Sequence, residues 1–263
     1  MKKHLFTALN ALAVFAVLVG LWQALVSIFH LPPYLLPSPW LVAQTIAARF
    51  APLLNSLLIT AEAAGGGLAM SIVLGVAIAL IFAQWNWLRR MLYPYTILLQ
   101  TVPVIAIAPL ILMWIGSGTG AVTVVAFIIC LAPIIANTTQ GLVSVDRNLV
   151  DLFLMHKASP AQILFKLRLP HAMPDLFVGV RISAGISVIG AITGELFAGS
   201  SRVGQGGLGY SILYASAQLQ TAYLFALVIA ATVLGFLFFF LVMFVEWYFL
   251  HSWHQSSRSM EPE

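Results

Sequence analysis

Few residues in this sequence have the types and spacing that chemistry requires. Gly204, Gly206 and Gly209 fit G-x-G-x-x-G, which cradles a pyrophosphate when it follows a strand and opens a helix in a βαβ unit. Here the pattern falls between two apolar runs, so the glycines read as permitting a tight re-entry of the chain. No G-x-x-x-x-G-K-[ST] occurs, so the chain has no phosphate loop with which to bind ATP by itself. The histidines at 4, 30, 156, 171, 251 and 254 make no H-E-x-x-H or similar ligand set. His251 and His254 read as anchors at a membrane exit. The single cysteine, Cys130, sits in an apolar run and reads as a small packing residue. No catalytic residue, metal or cofactor of the chain's own is expected, and no nucleic-acid partner.

Two carboxylates do stand out. Glu62 and Glu195 lie within apolar stretches, where an ionisable group is costly and defaults to a functional reading. Glu195 ends a series at spacing four: Gly179, Ser183, Ser187, Ala191, Glu195. At helical periodicity that is one small, polar face, expected to look into the protein. Ser183, Ser187 and Glu195, with Pro103 and Pro109, are the candidates for a translocation path or gate.

The elements that must position these residues are membrane spans. The chain has 263 residues, 61% hydrophobic and 8% charged, with mean hydropathy +1.01; soluble domains carry roughly 25% charged residues. The composition specifies an all-α integral membrane protein with about six spans and a single domain over 1–263. The spans are read at 5–29, 53–82, 92–115, 121–143, 176–197 and 219–250. Lys2 and Lys3 precede the first run, which is too long for a signal-peptide core and reads as an uncleaved helix. Ser38-Pro39 is a helix start, a hydroxyl cap before proline at the first position. Gly67, Ser71, Gly75 and Ala79 recur every four residues in the second span, a face on which another helix can pack closely. Pro103 and Pro109 should kink or locally unwind the third. Ala198–Gln218 reads as a Gly/Ser-rich outer segment.

Charge sets the orientation. Ten of the twelve lysines and arginines (2, 3, 89, 90, 147, 157, 166, 168, 181, 258) fall on one side of this topology, and only Arg49 and Arg202 on the other. The bias predicts that both termini and the 144–175 loop are cytosolic.

That loop, Ser144–Asp175, holds seven of the twenty formal charges. Asp146–His156 can form one short helix, with Leu149, Leu152 and Phe153 as an apolar stripe. Ser159-Pro160-Ala161-Gln162 starts a second, with serine as cap, proline first and glutamine third, a capping box. Pro170 is expected to break that helix, and Pro174 to precede the next span. Capping together with an apolar stripe predicts a docking surface rather than a solvated connector.

The loop resembles the cytoplasmic loop of permease subunits of binding-protein-dependent ABC importers. Their signature is Glu-Ala-Ala, three residues, Gly, nine residues, Ile-x-Leu-Pro. With Leu167-Arg168-Leu169-Pro170 on its end, Lys157 falls on the glycine and Asp151-Leu152-Phe153 on Glu-Ala-Ala. A lysine there costs on the order of 1 kcal/mol if the turn needs positive φ. Tyr34–Pro39, Leu99–Gly118, Gly194–Gly199 and Gly206–Ile212 are similar to the nitrate, sulfonate and taurine branch of these permeases, which also contains importers of thiamine-precursor pyrimidines and riboflavin.

The resemblance implies the type I importer fold in a bacterial cytoplasmic (inner) membrane. It implies two permease subunits, a homodimer by preference, two ATP-binding subunits that carry the ATP–Mg, and an extracytoplasmic solute-binding protein. It assigns ATPase coupling to Asp151, Leu152, Phe153, Lys157, Ala158, Ser159, Pro160, Leu167, Leu169 and Pro170. The alternative is an ion-coupled secondary transporter, but no repeat relates the two halves of the chain and membrane carboxylates are few. An intramembrane enzyme would need a catalytic cluster, which the sequence does not supply.

Overall fold

The computed structural model describes residues 2–198 and 206–251. Among these residues there are eleven α-helices, one π-helical turn and no strand. In order they are α1 (Lys2–Ile28), α2 (Pro39–Ala48), α3 (Phe50–Gln84), α4 (Asn86–Leu99), α5 (Val104–Ile115), α6 (Thr119–Val143), α7 (Arg147–Met155), α8 (Pro160–Ile163), the π turn (Leu164–Arg168), α9 (Leu169–Ala198), α10 (Leu208–Ala217) and α11 (Thr221–Leu250). Within a bilayer the helix satisfies its backbone internally, which is why apolar stretches of this length fold this way. α3, α6, the run Pro160–Ala198 and α11 are each long and apolar enough to cross. α4 and α5 make a fifth if the bent pair is counted as one span. The sixth span expected at 5–29 is α1, 27 residues long, whose apolar part, Ala13–Ile28, is shorter than a full crossing.

The expectations about proline divide. The third span is locally unwound, as one of its two readings had it, at residues 100–103 rather than running as one helix over 92–115. α4 begins earlier, at Asn86, and α4 and α5 are separate helices bent by 99°. Pro103 is the residue before α5, extended at ψ 103°, whereas Pro109 sits inside α5 without ending it. Pro170 does not break the loop's second helix, nor does Pro174 mark the start of a new one, because Pro160–Ala198 runs on as 39 residues. A proline ring crowds the carbonyl four residues back, here that of Lys166, which lies in the π turn. The Leu169 N–H reaches back to the Leu164 carbonyl. This five-residue step loosens the helix where Pro170 needs room. The loop that was read as 144–175 is therefore loop and α7 only as far as Ser159.

The core is a layer of α3, α6 and α9, with α11 and α10 against its side. Gly67, Ser71, Gly75 and Ala79 are buried as their spacing predicted, and they face α6. A Cβ on Gly67 would stand 2.7 Å from Ala126 Cβ, and one on Gly75 2.8 Å from Ile134 Cγ2. Ser71 Oγ lies 2.8 Å from the carbonyls of both Gly67 and Phe127, tying α3 to α6. In lipid there is no hydrophobic drive between helices, so this close backbone approach is what holds them.

Replacement Gly75→Leu is expected to lower stability by about 1–3 kcal/mol through overpacking. Gly185→Ala, where a Cβ meets nothing within 4 Å, should leave stability unchanged or raise it. Thermal unfolding of the detergent-solubilised protein compares the two, and equal midpoints would refute the packing account.

Candidate functional site

At the end of the bundle that carries the polar loop, two short helices form a hooked unit. Asp146 Oδ1 accepts from the Asn148 N–H (2.9 Å) and starts α7. α7 ends in a left-handed turn. Lys157 has φ +55°, its N–H donates to the Leu154 carbonyl (2.8 Å), and the Ala158 N–H donates to the Phe153 carbonyl (3.0 Å). These two bonds are the Schellman pattern, in which glycine usually occupies the left-handed position. Lys157 therefore adopts the conformation that a glycine would, at a cost of about 1 kcal/mol. Ser159 then opens α8 with the capping box read from the sequence. Its hydroxyl accepts from the Gln162 N–H (3.3 Å), and Gln162 Oε1 accepts from the Ser159 N–H (2.8 Å).

The hook is fixed to the bundle by a residue that motif reasoning had placed in the signature but given no role. Arg168 Nη1 donates to the Ala83 carbonyl (2.7 Å), one of the last carbonyls of α3 and without a partner inside that helix. A cation at a helix C-terminus is also favoured by the helix dipole. Ile163 and Leu164 are buried beside it, while Leu167, Leu169 and Pro170 are half-buried. The outer side of α7 is bare. Leu149 is 45% exposed, Leu152 48% and Met155 81%, with Asp151 exposed beside them and Phe153 half-buried. The apolar stripe thus divides, with Phe153 turned inward and Leu149 and Leu152 outward.

A second polar cluster lies toward the opposite end. Glu195 is buried, and its carboxylate accepts from Thr60 Oγ1 (2.8 and 2.9 Å) and from the Gly209 N–H (2.8 Å). Thr60 Oγ1 in turn accepts from the Leu208 N–H (2.8 Å), and Ser56 Oγ bonds Ser211 Oγ (2.9 Å). The carboxylate so caps the first turn of α10, a helix with a buried N-terminus inside the segment that reads from sequence as Gly/Ser-rich and outer. A Cβ on Gly207 would collide with the Glu195 carboxylate, and one on Gly209 with the Ile192 carbonyl and then Glu195 Cβ. Gly204 and Arg202 lie outside the described residues. Thr60, 135 residues from Glu195, carries no local signal in the sequence that would have found it.

Ser183 and Ser187 are wholly buried. Ser183 Oγ donates to the Cys130 carbonyl (3.0 Å), and Cys130 Sγ donates to the Ser183 carbonyl (3.3 Å). Ser183 so ties α9 to α6, whereas Ser187 Oγ donates within its own helix to the Ala184 carbonyl (2.8 Å); within this chain both serines are packed. The opposite, open stripe of α9 is Ile182, Ile186 and Ile189, which faces a cavity of about 490 Å³ shared with the α4–α5 break and α6. Pro103 and Pro109 are exposed on that broken span. Glu62 is exposed on α3. Among the described residues no group of three or more His, Cys, Asp or Glu could hold a metal ion.

An all-helical bundle of membrane-crossing length with a rigid, solvent-side hook defines a polytopic membrane protein built to engage something at one face. Residues 71–249 match the family described as binding-protein-dependent transport system inner membrane component, and the chain belongs to it. It is the permease subunit of an ABC importer of small solutes, a multi-pass inner membrane protein, and neither the family nor its relatives support the ion-coupled alternative. The chain is 34% identical to the riboflavin transport system permease protein of Chloroflexus aurantiacus, over 79% of this chain and 78% of that one. It is 32% identical to the formylaminopyrimidine transport permease protein of Halalkalibacterium halodurans, over 90% and 93%. The taurine transport system permease protein of Escherichia coli is 24% identical, over 84% and 82%. The inward-facing MetNI methionine ABC transporter has the same fold, with TM-score 0.51 and 21% identity over 80% of this chain and 98% of that one.

Two replacements test the two clusters. Lys157→Gly removes the left-handed penalty, so protection of the Ala158 amide in hydrogen exchange should rise about fivefold. Unchanged protection would show that the lysine is unstrained. Glu195→Ala strips the partners from buried donors, at about 1–3 kcal/mol, and should lower the unfolding midpoint and raise exchange at Gly209. A midpoint equal to that of the unaltered protein would count against the cluster.

Proposed function

We propose that α7 and α8 are the docking element through which separate ATP-hydrolysing subunits drive this permease. The carrying observation is the bare apolar face of Leu149, Leu152 and Met155 on a helix whose two ends and base are all held by hydrogen bonds. An exposed apolar face on a rigid element, with a charged residue at Asp151, suits a protein partner better than water. Lys157, Ala158, Ser159 and Pro160 give the hook its angle. Leu167, Leu169 and Pro170, with Arg168, join it to α9.

In this reading two ATP-binding subunits hold the ATP–Mg, and a second permease, a copy of this chain by preference, completes the path. An extracytoplasmic binding protein delivers the solute. Both termini and the hook lie in the cytosol, which the distribution of lysine and arginine supports. The whole chain acts as one permease domain. Its relatives' names supply the range of solutes: riboflavin, a formylaminopyrimidine, aliphatic sulfonates, nitrate and taurine. Pro103 and Pro109 shape the path wall, and Glu195 holds α10 at its outer part.

The test is the double replacement Leu149→Glu, Leu152→Glu. Both side chains are about half exposed, so insertion and folding should be unaffected. Co-purification of the ATPase should fall at least about tenfold, the loss expected when two interface anchors are charged. Undiminished co-purification would sink the docking assignment.

A further inference from the structure

The break between α4 and α5 has a consequence for the solute. Gln100, Thr101, Val102 and Pro103 are non-helical and exposed. Gln100 and Val102 share cavities with Leu131 and Ile135, near the middle of the membrane-crossing α6, and with Asn137 further along it. Non-helical backbone at that depth is stable only against protein or water, not against lipid. On one side of the break the cavity is almost purely apolar, about 600 Å³, between α3, α4 and α6. On the other, the 490 Å³ cavity against α5, α6 and α9 contains two carboxamides, Gln100 and Asn137. Asn137 Nδ2 donates to the Pro133 carbonyl (2.8 Å). That leaves its Oδ1 without a donor among the described residues, and Gln100 adds further donors and an acceptor to the same lining. None of the described residues lining this cavity is charged. Ile182 and Ile186 form its far wall.

We infer that this groove is the chain's half of the solute path and that it passes an uncharged, hydrogen-bonding solute rather than an anion. The inference rests on the reading of the chain as half of a path. Its volume suits a molecule of heterocycle size. Carboxamides offer a neutral ring its donors and acceptors. A sulfonate or nitrate would leave water without meeting a countercharge, a penalty that rises steeply in a low-dielectric wall. Among the solutes named for the relatives, this selects the pyrimidine and flavin class over the sulfonate and nitrate class.

Single cysteines test it in the full complex of permease, ATPase and binding protein in proteoliposomes. Gln100→Cys and Ile186→Cys are placed in a Cys130→Ala background, with Leu237→Cys on α11, 56% exposed on the least buried span, as the lipid-facing control. Two probes are compared, uncharged methyl methanethiosulfonate and anionic 2-sulfonatoethyl methanethiosulfonate, each rate divided by that of a free thiol. At both groove positions the uncharged probe should react at least about tenfold faster than at Leu237→Cys, since only a wetted thiol ionises to react. The anionic probe should lag the uncharged one there by about tenfold or more, because it brings a charge into an uncharged wall. Groove thiols no faster than the control would overturn the placement, and equal rates for the two probes would overturn the selection against charge. Failure of the docking reading is registered separately, by ATPase co-purification, and leaves these rates as they are.

Discussion

A backbone amide in hydrocarbon has no water to turn to, so each must find its partner within the protein. The rest of this structure depends on that constraint. It makes the spans helical, and it makes every departure from helix informative. Three departures among the described residues bear on the site: the break after Leu99, the π turn at Leu164–Arg168, and the start of α10 at Leu208. Each has a distinct solution. The break opens onto a cavity with carboxamides. The π turn redirects a hydrogen bond by one residue. The N–H groups at the start of α10 are taken up by Thr60 and Glu195.

Close approach between α3, α6 and α9 follows from the same constraint. With lipid as apolar as leucine, helices associate where small residues let backbones meet and polar side chains bond across. Gly67 and Gly75 serve the α3–α6 contact, and Gly179, Ser183 and Gly190 the α6–α9 contact. The three helices form one layer, and the hook and α10 are attached to opposite parts of it. Each attachment adds a polar bond to its buried apolar contacts, Leu164 for the hook and Leu208 for α10. Arg168 holds one through a carbonyl, and Glu195 holds the other through an amide and a hydroxyl.

Local patterns in the sequence were legible where their physics is local. The capping box at Ser159 and Gln162 spans three residues and formed as read. The four-residue spacing of Gly67, Ser71, Gly75 and Ala79 located a buried face. Pro170 misled because the rule that proline ends a helix assumes a helix of fixed pitch; the π turn relaxes that assumption. α10 was hidden because its leading glycines signal a loop, yet here a Cβ on them would collide with the Glu195 side chain and the Ile192 carbonyl. Ser183 and Ser187 shared a face with Glu195, but a polar face in lipid marks helix contact as readily as a path. The Thr60–Glu195 bond joins residues from separate spans, and no periodicity could report it. Lys157 was recognisable as unusual only by comparison with the family signature, and its φ of +55° explains why glycine is the usual occupant.

The unbroken run from Pro160 to Ala198 has mechanical meaning. At 39 residues it is about 58 Å long, with the hook at one end and Glu195 near the other. A tilt of about 5° at the hook displaces the far end by about 5 Å, roughly the pitch of one helical turn. The chain thus contains a lever whose short handle is outside the membrane and whose long arm ends against α10. A break at Pro170 would have uncoupled the two. The π turn, by letting proline sit in the shaft, keeps the lever in one piece.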